Sequence, residues 1–284
     1  MHQHMETAEV FVPDASEAAS ALGRTTHLGI GAHADDLEIM AFQGILECFQ
    51  REDLWFSGVV VTDGSGSPRD GAYRDYSDRE MQRVRRIEQK KAAILGEYSA
   101  QILLDHPSAA VKDPASHLVV EDLQEVLRVT HPRTIYTHNL ADKHDTHVAV
   151  ALRVIQALRA LKPAELPLKV YGCEVWRDLD WLHDSDKVAF DVSAHENLQA
   201  ALLGVFDSQI AGGKRYDLAT LGRRRANATY YASHGVDMTT GTVFAMDLTP
   251  LVLRPELRPA EFIDGFIEGF HKDVGDRLAR LEGR

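Results

Sequence analysis

Cysteine is nearly absent: Cys48 and Cys173 are the only two in 284 residues. One pair so far apart is no disulfide framework, and a reducing compartment, the cytoplasm, is the expected setting. No apolar run approaches the ~20 residues a membrane helix requires. None follows a basic patch near the start, so neither a membrane span nor a secretion signal is expected. Positive charge is in deficit too. The formal net charge of −12 repels a phosphate backbone and argues against nucleic acid as the partner. Internal repeats and low-complexity tracts are lacking as well. What remains is ordinary for a globular chain, 44% hydrophobic and 26% charged, long enough for one large α/β domain or two small ones.

Short β-branched runs alternate with longer amphipathic stretches, the pattern of βαβ units around a parallel sheet. Strands are expected at 28–32, 55–62, 100–104, 134–137 and 169–175, and helices at 36–50, 77–95, 118–130 and 146–161. Pro107, Pro132, Pro163 and Pro167 fall between these elements, where proline is tolerated. Beyond Val175 the alternation loosens. A strand at 187–192, a helix at 194–206, a strand near 243–247 and a terminal helix near 259–281 are expected there. Residues 63–76 hold three glycines, one proline and two serines, so they form a loop. It leaves the carboxyl end of the second strand and is expected to border a functional crevice; a tolerated surface excursion is the alternative.

Two clusters carry chemistry. Gly31-Ala32-His33-Ala34-Asp35-Asp36 follows the apolar run His27-Leu28-Gly29-Ile30, where a strand hands over to a helix. Ligands of open α/β sheets collect at that end of the strands, and His33 and Asp36, three positions apart, can turn toward one cation. His138-Asn139-Leu140-Ala141-Asp142-Lys143-His144-Asp145-Thr146-His147 likewise follows Thr134-Ile135-Tyr136-Thr137. Together they suggest one mononuclear metal site built from two loops. Asp35 or Asp36 also suits a helix N-terminus, and that capping role is compatible with the functional one.

These residues resemble the PIG-L/LmbE-like zinc-dependent N-acetylglucosaminyl deacetylase family. The first cluster is similar to its His-x-Asp-Asp signature and the second to its His-x-x-His element. Val61-Thr62-Asp63-Gly64 and the helix from Arg85 to Gly96 match its Thr-Asp-Gly turn and Arg-x-x-Glu helix, in order. The resemblance spans about residues 25–175. It implies a Rossmann-like three-layer α/β sandwich with a mostly parallel central sheet. The chain is then one deacetylase domain over 1–284, with a C-terminal extension that completes the site or forms an oligomer interface. It further implies a Zn²⁺ cofactor held by His33, Asp36 and His147, a set that the spacing of the residues also fits. Asp35 is then the general base for the attacking water, and His144 serves the oxyanion or protonates the leaving amine. Many relatives read His-Pro-Asp-His where this chain reads His144-Asp145-Thr146-His147. With Thr146 in place of that acid, Asp142 or Asp145 is the candidate carboxylate partner of His144.

Arg85 is expected to reach a substrate hydroxyl or phosphate, a solvated charge beside Glu88 being the alternative. Asp63 is expected to orient a sugar or support the metal shell. The segments 176–181 and 212–217 place aromatics beside Arg and Asp, which suits a saccharide or an oligomer interface equally. The function implied is removal of an N-acetyl group from an N-acetylglucosamine-like small molecule. A zinc amidase acting on another amide, such as a thiol conjugate, uses the same residues. A non-catalytic metal-stabilised module would not need Asp35. Donors of this kind also accept Fe²⁺, Co²⁺ or Ni²⁺. Gly29-x-Gly31-x-x-Ala34 fits the dinucleotide fingerprint formally. However, Asp35 and Asp36 would meet the pyrophosphate with like charge, so titration with NAD(P)H is expected to give no saturable fluorescence change at micromolar concentrations.

Overall fold

The computed structural model describes residues 3–283. Eight strands form one sheet: β1 (Glu9–Phe11), β2 (His27–Gly31), β3 (Phe56–Thr62), β4 (Ala100–His106), β5 (Thr134–His138), β6 (Lys169–Cys173), β7 (Val188–Asp191) and β8 (Thr242–Asp247), in the order β1-β4-β3-β2-β5-β6-β8-β7. The five central strands are parallel. β1, β8 and β7 pair antiparallel at the two ends. Every residue of β2 and β3 is buried, as expected of parallel strands covered on both faces.

Helices cover the sheet on both sides. One face carries α1 (Ala18–Gly23), α5 (Ser108–Lys112), α6 (Leu118–Thr130), α7 (Asp145–Arg159), α11 (Thr249–Leu253) and the start of α12 (Pro259–Glu282). The other carries α2 (Asp36–Met40), α3 (Phe42–Cys48), α4 (Asp78–Leu95), α8 (Glu196–Gly204) and α10 (Tyr216–Tyr230), with the short α9 (Asp207–Ile210) preceding α10. This is the expected three-layer α/β class. No helix among the described residues is long and apolar enough to cross a membrane, and both cysteines are buried and free.

Two expectations need correction. The helix foreseen over 36–50 is two, because the backbone leaves the helical region at Ala41 (φ −104°, ψ 17°). α10 was not expected at all. The residues it buries, Thr220, Arg224, Asn227 and Ala228, are mostly polar, so no apolar stripe announces it.

The sheet order reverses between β2, the first of the parallel strands, and β5, which starts the second half. At such a switch point the loops diverge and leave a crevice. Both His/Asp clusters leave from these two strands, so topology alone brings together segments about a hundred residues apart. The glycines of the first cluster have a packing reason. A Cβ on Gly29 would lie 2.7 Å from the Phe56 ring and 3.0 Å from Leu37, and one on Gly58 would lie 2.6 Å from Leu37. Leu37 thus seats α2 close against the sheet, and Gly31, whose added Cβ would lie 3.0 Å from that of Asp36, leaves room for the carboxylate. No nucleotide is needed to explain them.

Candidate active site

A cleft of about 630 Å³ opens above the switch point, with His33, Asp35, Asp36 and His144 in its lining. The glycine-rich loop forms one lip through Gly64, Gly66, Ser67 and Pro68, and the C-terminal part supplies the opposite wall through Trp176, Tyr216 and the adjoining turns of α10. The loop is pinned there by a Tyr73 hydroxyl that donates to Asp207 at 2.6 Å.

His33, Asp36 and His147 meet at one point. His33 Nδ1 lies 3.2 Å from His147 Nε2 and 3.3 Å from Asp36 Oδ2, and His147 Nε2 lies 3.4 Å from Asp36 Oδ1. Donors placed tetrahedrally at zinc bond lengths are separated by about 3.3–3.4 Å, close to the spacing of each of these pairs, with the two imidazoles facing different oxygens of Asp36; the ligand atoms of His33, His144 and His147 also lie within 4.8 Å of one another. Protonation agrees. Burial opposes ionisation of Asp36, yet the neighbouring His147 and His138 imidazoles hold its carboxylate well below the usual range. Burial lowers His147 to about 4 despite Asp36, leaving a neutral ring with a free lone pair.

His138, at the end of β5, is also within reach of Asp36 and His147, a residue that sequence reasoning left without a role. Its Nε2 accepts the Ala32 backbone N–H at 2.9 Å, so that lone pair is spent on holding the first loop against β5. His147 Nδ1 faces Asp142 Oδ2 at 3.6 Å, while Asp142 accepts the His144 and Trp176 backbone N–H groups. The carboxylate therefore sets the course of the loop and lies nearer the imidazole of His147 than a hydrogen-bonded partner of the His144 ring would. Asp145 is exposed at the start of α7. Thr146 turns away to Ser108, 2.9 Å between hydroxyls. The His144 ring is held instead by stacking, with Trp176 at 6.2 Å and an interplanar angle of 19° and His147 at 4.5 Å. Its Nδ1 has no partner. Burial, then the nearby His33, lowers its pKa, so the ring is neutral at neutral pH and offers an N–H to an oxyanion.

Asp35 sits on the chain between the two ligand candidates with φ +92°, an unfavourable backbone for a non-glycine residue. Its N–H donates to Gln89 Oε1 at 3.3 Å and its carboxylate pairs with Arg85 at 3.1 Å, both side chains buried. Burial raises its pKa, Arg85 pulls it back and Asp36 raises it again, with a net shift upward. Such a carboxylate takes a proton near neutral pH far more readily than an ordinary aspartate.

Arg85 lines the cleft but is buried rather than a solvated charge, donating to the Ala34 carbonyl and pairing with Asp35 and Glu88. Glu88 in turn accepts from the Ser208 N–H and hydroxyl, both at 2.7 Å. Arg85→Met strands two buried carboxylates, and is expected to lower unfolding free energy by up to about 3–5 kcal/mol, less what their protonation recovers. A urea melt reads this directly; a raised KM at unchanged stability would return Arg85 to substrate binding. Asp63 lines the cleft, but its oxygens accept from the Ser65 N–H and hydroxyl and from Gln82, so it shapes the lip rather than joining the donor triangle.

An open α/β sheet whose switch-point cleft gathers a carboxylate beside a His/Asp donor set has the architecture of a small-molecule enzyme. Residues 28–158 match the model of the family PIG-L, described as GlcNAc-PI de-N-acetylase. Among curated proteins, the chain is 26% identical over 150 residues to an "Uncharacterized deacetylase YaiS" of Escherichia coli K12, covering 53% of this chain and 77% of that protein. Solved structures share the fold. N,N'-diacetylchitobiose deacetylase from Pyrococcus horikoshii aligns with a TM-score of 0.58 at 18% identity, over 78% of this chain and 83% of its own. GalB from Pseudomonas putida KT2440, a 4-carboxy-2-hydroxymuconate hydratase, aligns with a TM-score of 0.58 at 16% identity, over 79% and 96%. At such identities the structural likeness speaks for the fold alone.

Proposed function

We propose that this chain is a metal-dependent N-deacetylase that removes an N-acetyl group from an N-acetylglucosamine-like small molecule, giving acetate and a free amine. The observation that carries the reading is the donor set of His33, Asp36 and His147 with the buried Asp35 beside it, of which His33, Asp35 and Asp36 line one cleft. Those three residues would hold the cation, which we take to be Zn²⁺. When bound, such an ion supplies Lewis acidity toward water and an acyl oxygen. Asp35 accepts the proton of the attacking water, held ready by Arg85 and by burial. His144 offers its N–H to the oxygen on which negative charge develops. Trp176 and Tyr216, edge to face at 5.8 Å, provide aromatic surface for a sugar ring. The amine leaves with a proton taken up from Asp35. A non-catalytic metal module would not need Asp35 beside the donors. The chain over 1–284 acts in this reading as one unit, with its C-terminal part completing the cleft, and buried free thiols suit the cytoplasm.

The test is acetate release from a panel of N-acetylated amino sugars, glycolipids and thiol conjugates. Chelation and dialysis are expected to abolish turnover, and one equivalent of Zn²⁺ to restore it. Full activity in a metal-free sample would overturn the metal assignment, and turnover of thiol conjugates alone would move the substrate class.

A further inference from the structure

We propose that the molecule this cleft accepts carries an anionic group, a phosphate or a carboxylate, bound by Lys112 and Lys143 and drawn in by Lys214. The inference rests on the deacetylase reading of the same cleft and adds the charge of its substrate.

The chain has nine lysines. Four of them, Lys90, Lys169, Lys187 and Lys272, are paired with carboxylates. Among the described residues, three of the remaining five, Lys112, Lys143 and Lys214, line this one cleft. In a chain of net charge −12, three lysines without a carboxylate partner converge on one cleft.

The acids of the cleft do not neutralise them. Asp35 is taken by Arg85, and Asp36 by the imidazoles. Asp63 is bound by Ser65 and Gln82. Glu174 accepts from the backbone N–H groups of Phe244 and Leu179 and from Asn227. Lys112 and Lys143 are also brought to one place. The bond between Ser108 and Thr146 joins the first turns of α5 and α7; Lys112 lies one helical turn after Ser108, and Lys143 three residues before Thr146. Lys143 immediately precedes His144, so a group bound there sits beside the reacting centre. Lys214 lies over the Trp176 ring at 5.1 Å, next to the surface proposed for the sugar. Low-dielectric walls lined by one sign of charge concentrate ligands of the other, and a lysine ammonium serves a phosphate or carboxylate as a point charge.

The experiment is equilibrium titration of the metal-loaded full chain with three amines of the product type: glucosamine, glucosamine 6-phosphate and muramic acid, the last bearing a carboxylate. At least one anionic amine is expected to bind about tenfold or more tightly than glucosamine, with a preference that shrinks as salt rises. Which of the two does so identifies phosphate or carboxylate. Lys112→Ala/Lys143→Ala is expected to bring the ratio near unity, while Lys91→Ala/Lys162→Ala, equally unpaired lysines outside the cleft, leaves it intact. Equal binding of all three, or a preference that survives the Lys112/Lys143 change, overturns the proposal. The parent reading fails separately: tight anionic binding with no acetate released from the corresponding N-acetyl compound would keep the anion site and remove the deacetylase.

Discussion

Asp35→Asn is expected to lower deacetylation by about 10²–10⁴-fold, the usual worth of a positioned general base, while metal content and melting temperature stay near wild type. The stability half follows from the charge count around Arg85. One guanidinium serves two buried carboxylates, Asp35 and Glu88. Neutralising the first leaves an even pair with the second, and no buried charge is left alone. Asparagine also keeps an oxygen to accept from Arg85. The activity half follows from proton affinity, because an amide cannot take the proton that a carboxylate raised by burial takes readily. Acetate release on a verified substrate, metal analysis and a thermal melt on one preparation decide it. Retained activity would remove the base assignment, and loss of the metal would make Asp35 a ligand.

Asp36→Ala and His147→Ala are each expected to take bound metal from about one equivalent to below detection, and turnover with it. Loss of Asp36 leaves only neutral imidazoles, which give a cation no charge balance. Loss of His147 removes the nitrogen that lies nearest both His33 and Asp36. The contrasting variant is His138→Gln, which lies as near to Asp36, 3.3 Å from its carboxylate. Because His138 Nε2 accepts the Ala32 N–H, a glutamine that can accept the same N–H is expected to retain the metal. Full occupancy in the Asp36→Ala/His147→Ala double variant would refute the donor triangle, and loss of metal in His138→Gln would enlarge it.

The α/β architecture was legible because β2 and β3 are buried on both faces and so read as short, largely apolar runs. The ligand candidates were legible because each half lies within a few residues, next to a strand that any parallel sheet must place near the switch point. The supporting contacts were not. Ser208 meets Glu88 across 120 positions, and no local pattern in either segment announces the other. Asp142 gives a clearer lesson: its place two residues before His144 marked it as a candidate for that ring's partner, but the turn between β5 and α7 spends its carboxylate on the His144 and Trp176 backbone N–H groups. α10 escaped because Arg224 and Asn227 face inward and find polar partners there, Arg224 in Gln199 and the Glu38 carbonyl, Asn227 in Glu174, an interior that hydrophobic periodicity cannot register.

The positive φ of Asp35 sets a conflict inside a single residue. Asp35→Gly and Asp35→Ala delete the same carboxylate, yet only glycine is at ease at φ +92°, so the glycine variant is expected to be the more stable by about 1 kcal/mol. The gap is read as the difference in unfolding midpoints, and an alanine variant equal to it would show that the loop relaxes freely. If the gap is found, a search for thermostable forms of this protein conducted without an activity screen would drift toward glycine at this position, trading away the one group proposed to move the proton.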